Sequence, residues 1–302
     1  VMVFPGTEEE PITLTCSDEN SFWGGVISTG SGNRIEAFNT IFCKSGYHTG
    51  ENYDYGHAKR QALFYSEGGK LDVTNCYMID HAGQVFYPKG AELNISYSLI
   101  QRAITGGQIN YTDVRIDHSV FTDFPNDKLV FQDQDNDALY LAASDAVISN
   151  SVFMYAADDG LDSGGNEGGE VRVSNTRFES IFHEGAALSS NGTATKHHYF
   201  TNCEFTDCGQ GIELGFSSPN HQVNVDSCKF IKNGIGIRFG DNYDWVHQGQ
   251  ITVSNSLSIE NISHDVWNMV RELWEADTAK MVFNNVMVSI PEPVYPHLIP
   301  YE

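Results

Sequence analysis

The sequence predicts an all-β fold, a single-stranded right-handed parallel β-helix (β-solenoid) of about ten coils over residues 1–290, with a proline-rich tail at 291–302. Three observations carry this. One short motif recurs along nearly the whole chain, like residues fall at equivalent slots of that motif, and short alternating strands separate its copies where helical stretches would otherwise be expected.

The motif reads N-(S/T/C)-x-(F/M/I). It occurs as FNTIF at 38–42, TNCYM at 74–78, SYSLI at 96–100, DHSVF at 117–121, SNSVF at 149–153 and SNTRF at 174–178. It continues as TNCEF at 201–205, DSCKF at 226–230, SNSLS at 254–258 and FNNVM at 283–287. The spacing is roughly 21 to 36 residues, a solenoid period. In a parallel stack each residue lies about 4.8 Å above its equivalent, so identical side chains pack or hydrogen-bond in ladders. An aromatic column from Phe42 through Phe121, Phe153, Phe178, Phe205 and Phe230 to Met287 is therefore expected inside the coils. An asparagine column (Asn39, Asn75, Asn150, Asn175, Asn202, Asn255, Asn284) is expected at a turn, where Asn accepts a left-handed backbone.

A strand precedes each motif (LDVTN, DVRID, AVISN, VRVSN, VNVDS, ITVSN) and a glycine-marked strand follows it (DGLDSG, EGAALS, QGIELG, GIGIRFG). A jelly roll or propeller is the rival, but neither needs one residue type at one slot in every coil. The six cysteines lack C-x-x-C spacing, which argues against structural zinc. Cys203 and Cys228 share a slot in adjacent coils, as a disulfide or as two buried small side chains. HDVWNMVRELWEA at 264–276 has helical spacing and is expected to be a short amphipathic insert in the last coils.

Seventeen Lys and Arg against 40 Asp and Glu give a formal net charge of -23, which disfavours nucleic acid and anionic membrane surfaces and favours calcium or a neutral ligand. No stretch is apolar enough for membrane insertion, and VMVFPGTEEEP lacks the pattern of a signal peptide, so the chain reads as a processed or excised piece. Sequons at Asn94, Asn110, Asn191 and Asn261 permit glycosylation.

Aligning the glycine-marked strands places Asp137, Asp159, Glu184 and Gln210 in one column at the lip of a sheet. Tyr140, Asp162, Ala187, Glu213 and Arg238 form a second column further along the same strands, with Asp133, Asp135, Asp158 and His183 nearby. Like charges stacked this closely repel, so such a column requires a cation or a retained proton. The candidate metal ligands are Asp135, Asp137, Asp159 and Glu184, with calcium as the ion. The candidate catalytic groups are Asp137, Asp158, Asp159, Glu184 and His183. Tyr140, Asp162, Glu213, Arg238 and Trp245 are candidate substrate contacts, although Trp245 and Tyr243 are equally explained by loop packing. The plain alternative is that the acids cap turns that happen to align.

AADDGLDSGG at 156–165 resembles the paired-aspartate strand of the polygalacturonase-type glycoside hydrolases, themselves parallel β-helices. That resemblance, over three coils, implies a role for Asp137 as the N-T-D aspartate and for Asp158 and Asp159 as the pair. It places the G-H-G histidine on Glu184, with His183 one position early, and matches GIRFG at 236–240 loosely to R-I-K. The Asn-Thr and the lysine are absent here, and an extra coil precedes Arg238. By this assignment cleavage would be inverting, with carboxyls two coils, about 9.6 Å, apart. FWGGVIS at 22–28 and the G-x-x-G turns also resemble β-helix segments of large secreted bacterial surface proteins, which covers more of the chain.

Two functions are thus expected. One is a secreted polysaccharide-binding protein acting as a glycoside hydrolase, a lyase ranking lower because Arg238 is the one base aligned with the acids. The other is a non-catalytic, calcium-stabilised adhesin or cell-surface scaffold, carried as one of several domains of a larger surface protein.

Overall fold

The computed structural model describes residues 1–18, 20–47, 54–56, 59–125, 135–164, 168–193, 195–243, 245–269 and 279–289. Among the described residues its strands form three parallel sheets, the first and second of eleven strands and the third of ten with one short antiparallel strand, Asp54–Tyr55, added beside Arg60–Glu67. One coil contributes one strand to each sheet in turn. Coil 145–162, for example, supplies Asp145–Ser149 to the first sheet, Val152–Ala156 to the second and Leu161–Asp162 to the third. The first and second sheets each run through eleven coils, close to the ten expected from the motif.

The motif is the corner between the first and second sheets. Its asparagine adopts a left-handed backbone in each coil, with φ of 51° at Asn75, 50° at Asn150, 50° at Asn175, 53° at Asn202 and 49° at Asn255. An L-residue with a larger side chain resists that conformation, and the Asn amide compensates by bonding along the stack. Asn75 Nδ2 donates to Asn39 Oδ1 at 2.5 Å, and Asn202 Nδ2 to Asn175 Oδ1 at 2.7 Å. Where the slot below is not Asn, the amide borrows the neighbouring acid instead. Asn150 donates to Asp117 and Asn255 to Asp226. Tyr97 and His118, which fill two such slots, stack on each other at 4.9 Å.

The small slot does more than save space. The backbone N–H of each small residue donates to the side chain one coil on: Ser98 to Ser119 Oγ at 3.2 Å, and Ser119 to Ser151 Oγ at 3.1 Å. Ser151 Oγ in turn donates to the Ser149 carbonyl at 2.7 Å, so a corner that leaves the sheet ladders still satisfies its polar groups. Cysteine continues the relay, because the Cys203 N–H donates to Cys228 Sγ at 3.3 Å. All six cysteines are free thiols, which resolves the open choice in favour of the ladder.

Inside, Phe121, Phe153, Phe178, Phe205 and Phe230 are fully buried and stacked, with successive centroids 4.9, 5.3, 4.7 and 4.9 Å apart. The ladder explains the glycines that open the third-sheet strands. A Cβ would stand 3.0 Å from the Phe178 ring at Gly160, 2.7 Å from Phe205 at Gly185 and 2.6 Å from Phe230 at Gly211. In these three coils no side chain fits between the lip residue and the strand that follows it, whereas the coil of Asp137 carries alanine, Ala138, at this place.

Two local expectations are corrected. The stretch from 264 is not helical at its start, because His264–Asn268 is a strand of the third sheet paired with Ile235–Phe239. The stack of coils outweighs the helical spacing of its apolar residues, since the strand continues a parallel ladder already in place. In the last coil the motif sits one residue later than its sequence suggests. Asn285, not Asn284, joins the amide ladder through Asn255, and Val288 rather than Met287 pairs with Ser258. Residues 270–278 and the tail at 291–302 lie outside the described residues. Of the sequons, Asn191 is exposed while Asn110 and Asn261 are buried.

Candidate functional site

The register places the two acid columns as the sequence aligned them. Tyr140 pairs with Asp162, Asp162 with Ala187, Ala187 with Glu213 and Glu213 with Arg238, all on the outward face of the third sheet. At the lip, Glu184 pairs with Gln210. The Asp159 N–H donates to Asp137 Oδ1 at 3.4 Å and the Glu184 N–H to Asp159 Oδ1 at 3.1 Å. The Asp137 and Asp159 carboxyls thus each receive the backbone of the next coil, which turns a repeat geometry into an aligned stack of acids.

Asp137, Asp158, Asp159 and Glu184 are all under a tenth exposed. Carboxylate oxygens of Asp137, Asp159 and Asp162 lie within 4.8 Å of one another, and so do ligand atoms of Asp158, Asp159 and His183. Burial, reinforced by the mutual repulsion of these acids, pushes the Asp137, Asp159 and Asp162 carboxyls well above the ordinary range. For Asp159 the nearest contributor after burial is Glu184; for Asp137 it is Asp162. His183 Nδ1 stands 2.9 Å from Asp158 Oδ1 and 3.9 Å from Glu184 Oε2, so the histidine one position early still reaches the paired aspartates. Asp135 is exposed at the edge of this group, and Asp133 lies outside the described residues.

Gln210 couples this cluster to a second one. Its amide donates to Glu184 Oε1 and, at 2.8 Å, to Glu213 Oε2. Glu213 is held by Arg238, whose Nη1 lies 2.8 Å away and whose Nη2 donates to Asn242 Oδ1 at 3.0 Å. Arg238 is nearly fully buried and lies 5.4 Å from the Trp267 ring, so its guanidinium organises the wall of the site. Trp245 donates its indole N–H to the Gly215 carbonyl at 3.1 Å and stacks on half-exposed Tyr243 at 4.2 Å.

Sequence columns missed three participants. Asp241 is buried beside Glu213, and burial together with that neighbour raises its carboxyl to about 9. Its signal was its place in GDNYDW, directly after the Arg238 strand. Lys196 is buried with its ammonium donating to the carbonyls of Ser163 and Gly164; burial lowers it to about 8, against the pull of Asp162. His198 Nε2 lies 2.9 Å from Ser163 Oγ. Lys196 and His198 open a first-sheet strand with no like residues above or below, so no repeat announced them.

A cation fits the first trio. Oxygens bound to one calcium at 2.3–2.6 Å can be no more than about 5 Å apart, and those of Asp137, Asp159 and Asp162 satisfy this. The second group includes an imidazole nitrogen, a poor ligand for a hard cation. The trio differs from the expected set, since Asp162 joins it while Glu184 is turned to Gln210.

Comparisons with known proteins agree on the architecture. No curated protein matches the chain. Residues 137–266 match the family model described as "Right handed beta helix region". Among solved structures the chain is similar to a periplasmic alginate epimerase, AlgG, at 11% identity over 91% of this chain and 64% of that one, with a TM-score of 0.59. It is also similar to an endo-xylogalacturonan hydrolase from Aspergillus tubingensis, at 11% identity over 95% of this chain and 84% of that one, with a TM-score of 0.53. The chain spans less than two thirds of the length of the first of these, and at such identities the likeness is one of fold. Three parallel sheets, the interior phenylalanine ladder, the matched region and the solved structures together make this chain a right-handed parallel β-helix.

Proposed function

We propose that this protein is a secreted or cell-surface, carbohydrate-active β-helix that hydrolyses a neutral polysaccharide on the acidic face of its third sheet. The observation that carries the reading is the stack of buried Asp137 and Asp159 with half-buried Asp162, beside the Asp158–His183 pair. Acids pushed upward by burial supply a carboxyl that keeps its proton near neutral pH, next to one that does not, and that is the requirement for acid–base glycoside hydrolysis. Asp159, central in the stack, is the proton donor to the glycosidic oxygen as the bond to the anomeric carbon breaks. Asp158, at the lip with His183 and within 4.8 Å of Asp159, attacks that carbon as the nucleophile, and water, giving its proton to the Asp159 carboxylate left by the first step, then releases the sugar from Asp158. Groups within 4.8 Å are closer than the roughly 6.5–9.5 Å of inverting enzymes, so an inverting pair would have to span the two coils from Asp137 to Glu184. The neighbours of similar fold include a polysaccharide hydrolase, which supports a polysaccharide as substrate; that it is neutral rests on the acidity of the site alone.

The test is release of reducing ends from a panel of neutral and acidic glycans. Cleavage that falls by several orders of magnitude in Asp159→Asn supports the reading; no cleavage of any glycan by the unmodified protein rejects it. One observation favours a second reading, the spacing of the Asp137, Asp159 and Asp162 oxygens, which suits calcium in a non-catalytic surface module.

A further inference from the structure

Side chains on the outer face of a solenoid sheet are ordinarily in water, yet along this third sheet several are buried. Tyr140, Glu213, Arg238 and Trp267 all point outward in one column and none is more than 8% exposed. On the first sheet the equivalent outward positions Arg115, Val147 and Arg172 are exposed. Chain segments must therefore stand on the third sheet, and three are visible.

Toward the N-terminal coils, Gly56 follows the short strand Asp54–Tyr55, which pairs antiparallel with Arg60 and Gln61. Gly56 rests on the face so closely that a Cβ there would stand 2.6 Å from Gln108 Oε1 and 3.2 Å from Tyr87. Toward the C-terminal coils, the segment after Phe239 folds back one coil. Asp241 lies on Gly215, where a Cβ would come within 2.5 Å of its carboxyl, and Trp245 bonds the Gly215 carbonyl. At the far end of the strands, Lys196 and His198 hold Ser163 and Gly164 so that Gly164 covers the Tyr140 hydroxyl, 2.8 Å from its Cβ position. The fourth side is the lip. There the side chains of His183 and Asp158 are 13% and 11% exposed, and Phe182, stacked on His183 at 5.3 Å, is 46% exposed.

We infer that the acidic site is a blind pocket, walled on three sides among the described residues and opening at the Phe182–His183 lip, and that it takes the end of a neutral glycan chain. The inference rests on the glycan reading above. A polymer lying across an open β-helix face needs exits on two opposite sides. Here Gly56 toward one end and Asp241 with Trp245 toward the other close the helix-axis direction, and Ser163–Gly164 closes the third side. About four coils, or roughly 19 Å, separate Gln108 from Gly215, which sets the upper limit on the length of sugar chain that can lie between the two walls. Phe182 at the mouth offers an aromatic face to the sugar that follows the terminal one. A uronate would bring further negative charge onto Asp137, Asp158, Asp159 and Asp162, which selects for an uncharged ring.

The experiment is isothermal titration of the full chain with cello-, xylo-, manno- and laminari-oligosaccharides from disaccharide to hexasaccharide, with the parent polymers and with oligogalacturonate. For the backbone that binds, affinity per chain should level off at a short oligomer. The polymer should titrate in proportion to its chain ends, and Phe182→Ala should weaken binding about two- to tenfold. Binding of polymer in proportion to its total sugar, or affinity that climbs steadily to the hexasaccharide, overturns the blind pocket while leaving the glycan reading intact. Preference for oligogalacturonate overturns the neutral ligand. Absence of heat with every probe rejects the glycan reading, and the pocket assignment falls with it.

Discussion

Replacing Asp159 by Asn separates a proton-holding site from an ion-holding one through stability alone. In the folded chain Asp159 is 7% exposed, and burial, then Glu184 and Asp158, raise its carboxyl well above the ordinary value. For a group raised in the folded state, its contribution to stability is fully present below the unfolded pKa and is lost as pH rises through the folded pKa. Near pH 4 and below, wild type and Asp159→Asn should therefore unfold at nearly the same denaturant concentration. Asn preserves the shape, and its carbonyl still accepts the Glu184 N–H that Asp159 Oδ1 accepts at 3.1 Å. As pH rises, wild type alone must ionise a buried acid among acids, and the variant should gain on the order of 1–3 kcal/mol by pH 8, the usual size of a buried polar penalty. Urea unfolding at pH 4, 6 and 8 in the presence of calcium reads the difference directly. A variant less stable than wild type at pH 8, with the deficit growing with pH, would refute this reasoning. It would mean that the ionised form is the one the fold stabilises, as a bound cation requires.

Four further outcomes follow from the same geometry. Phe178→Ala removes a fully buried ring stacked between Phe153 and Phe205 and should cost about 3–5 kcal/mol in chemical denaturation; a loss under 1 kcal/mol would contradict a packed ladder. Asn175→Ala removes one rung and leaves alanine at φ 50°, so it should cost about 1–3 kcal/mol, while Asn175→Gly should recover the backbone share. His81 is buried with Nδ1 2.7 Å from Ser45 Oγ, and burial lowers it to about 3. Stability from His81 is present above pH 6.5 and lost as pH falls toward 3, so His81→Gln should flatten the acid limb of the stability profile, and an unchanged limb would show otherwise. Under the calcium reading, chelator lowers and added calcium restores the melting temperature; an unchanged curve removes that reading.

The fold was legible because a solenoid writes its contacts at fixed spacing. The N-x-x-F motif announced the corner, its left-handed asparagine and the aromatic stack, since each is repeated in register one coil on. The same logic placed Asp137, Asp159 and Glu184 in a column and Tyr140, Asp162, Glu213 and Arg238 in another. What the sequence hid is what is not repeated. Asp241, Lys196 and Gly56 reach the site from connections whose length and course differ from coil to coil, so no column marks them. The strand at His264–Asn268 was hidden for the opposite reason, because helical periodicity within one segment was read without the ladder that it extends.

The distribution of charge explains why the third sheet is the one to watch. On the first sheet, outward charges of opposite sign meet from coil to coil in solvent, as Lys70 does with Glu92 at 2.7 Å and Arg34 with Asp72 at 3.2 Å. Such pairs contribute little and cost little. On the third sheet the repeat could have carried the same alternation, and in its later coils it does, with Arg238 answering Glu213. Between Asp137 and Glu184 it does not, and there the backbone of each coil is bonded to the acid of the coil before it. Like charges, buried and held in line, oppose folding at neutral pH in a scaffold whose phenylalanine ladder would be equally well served by serine or asparagine at those slots. A stack that works against the fold, at the open side of a covered face, is where a bound ligand or a transferred proton gives the arrangement its use.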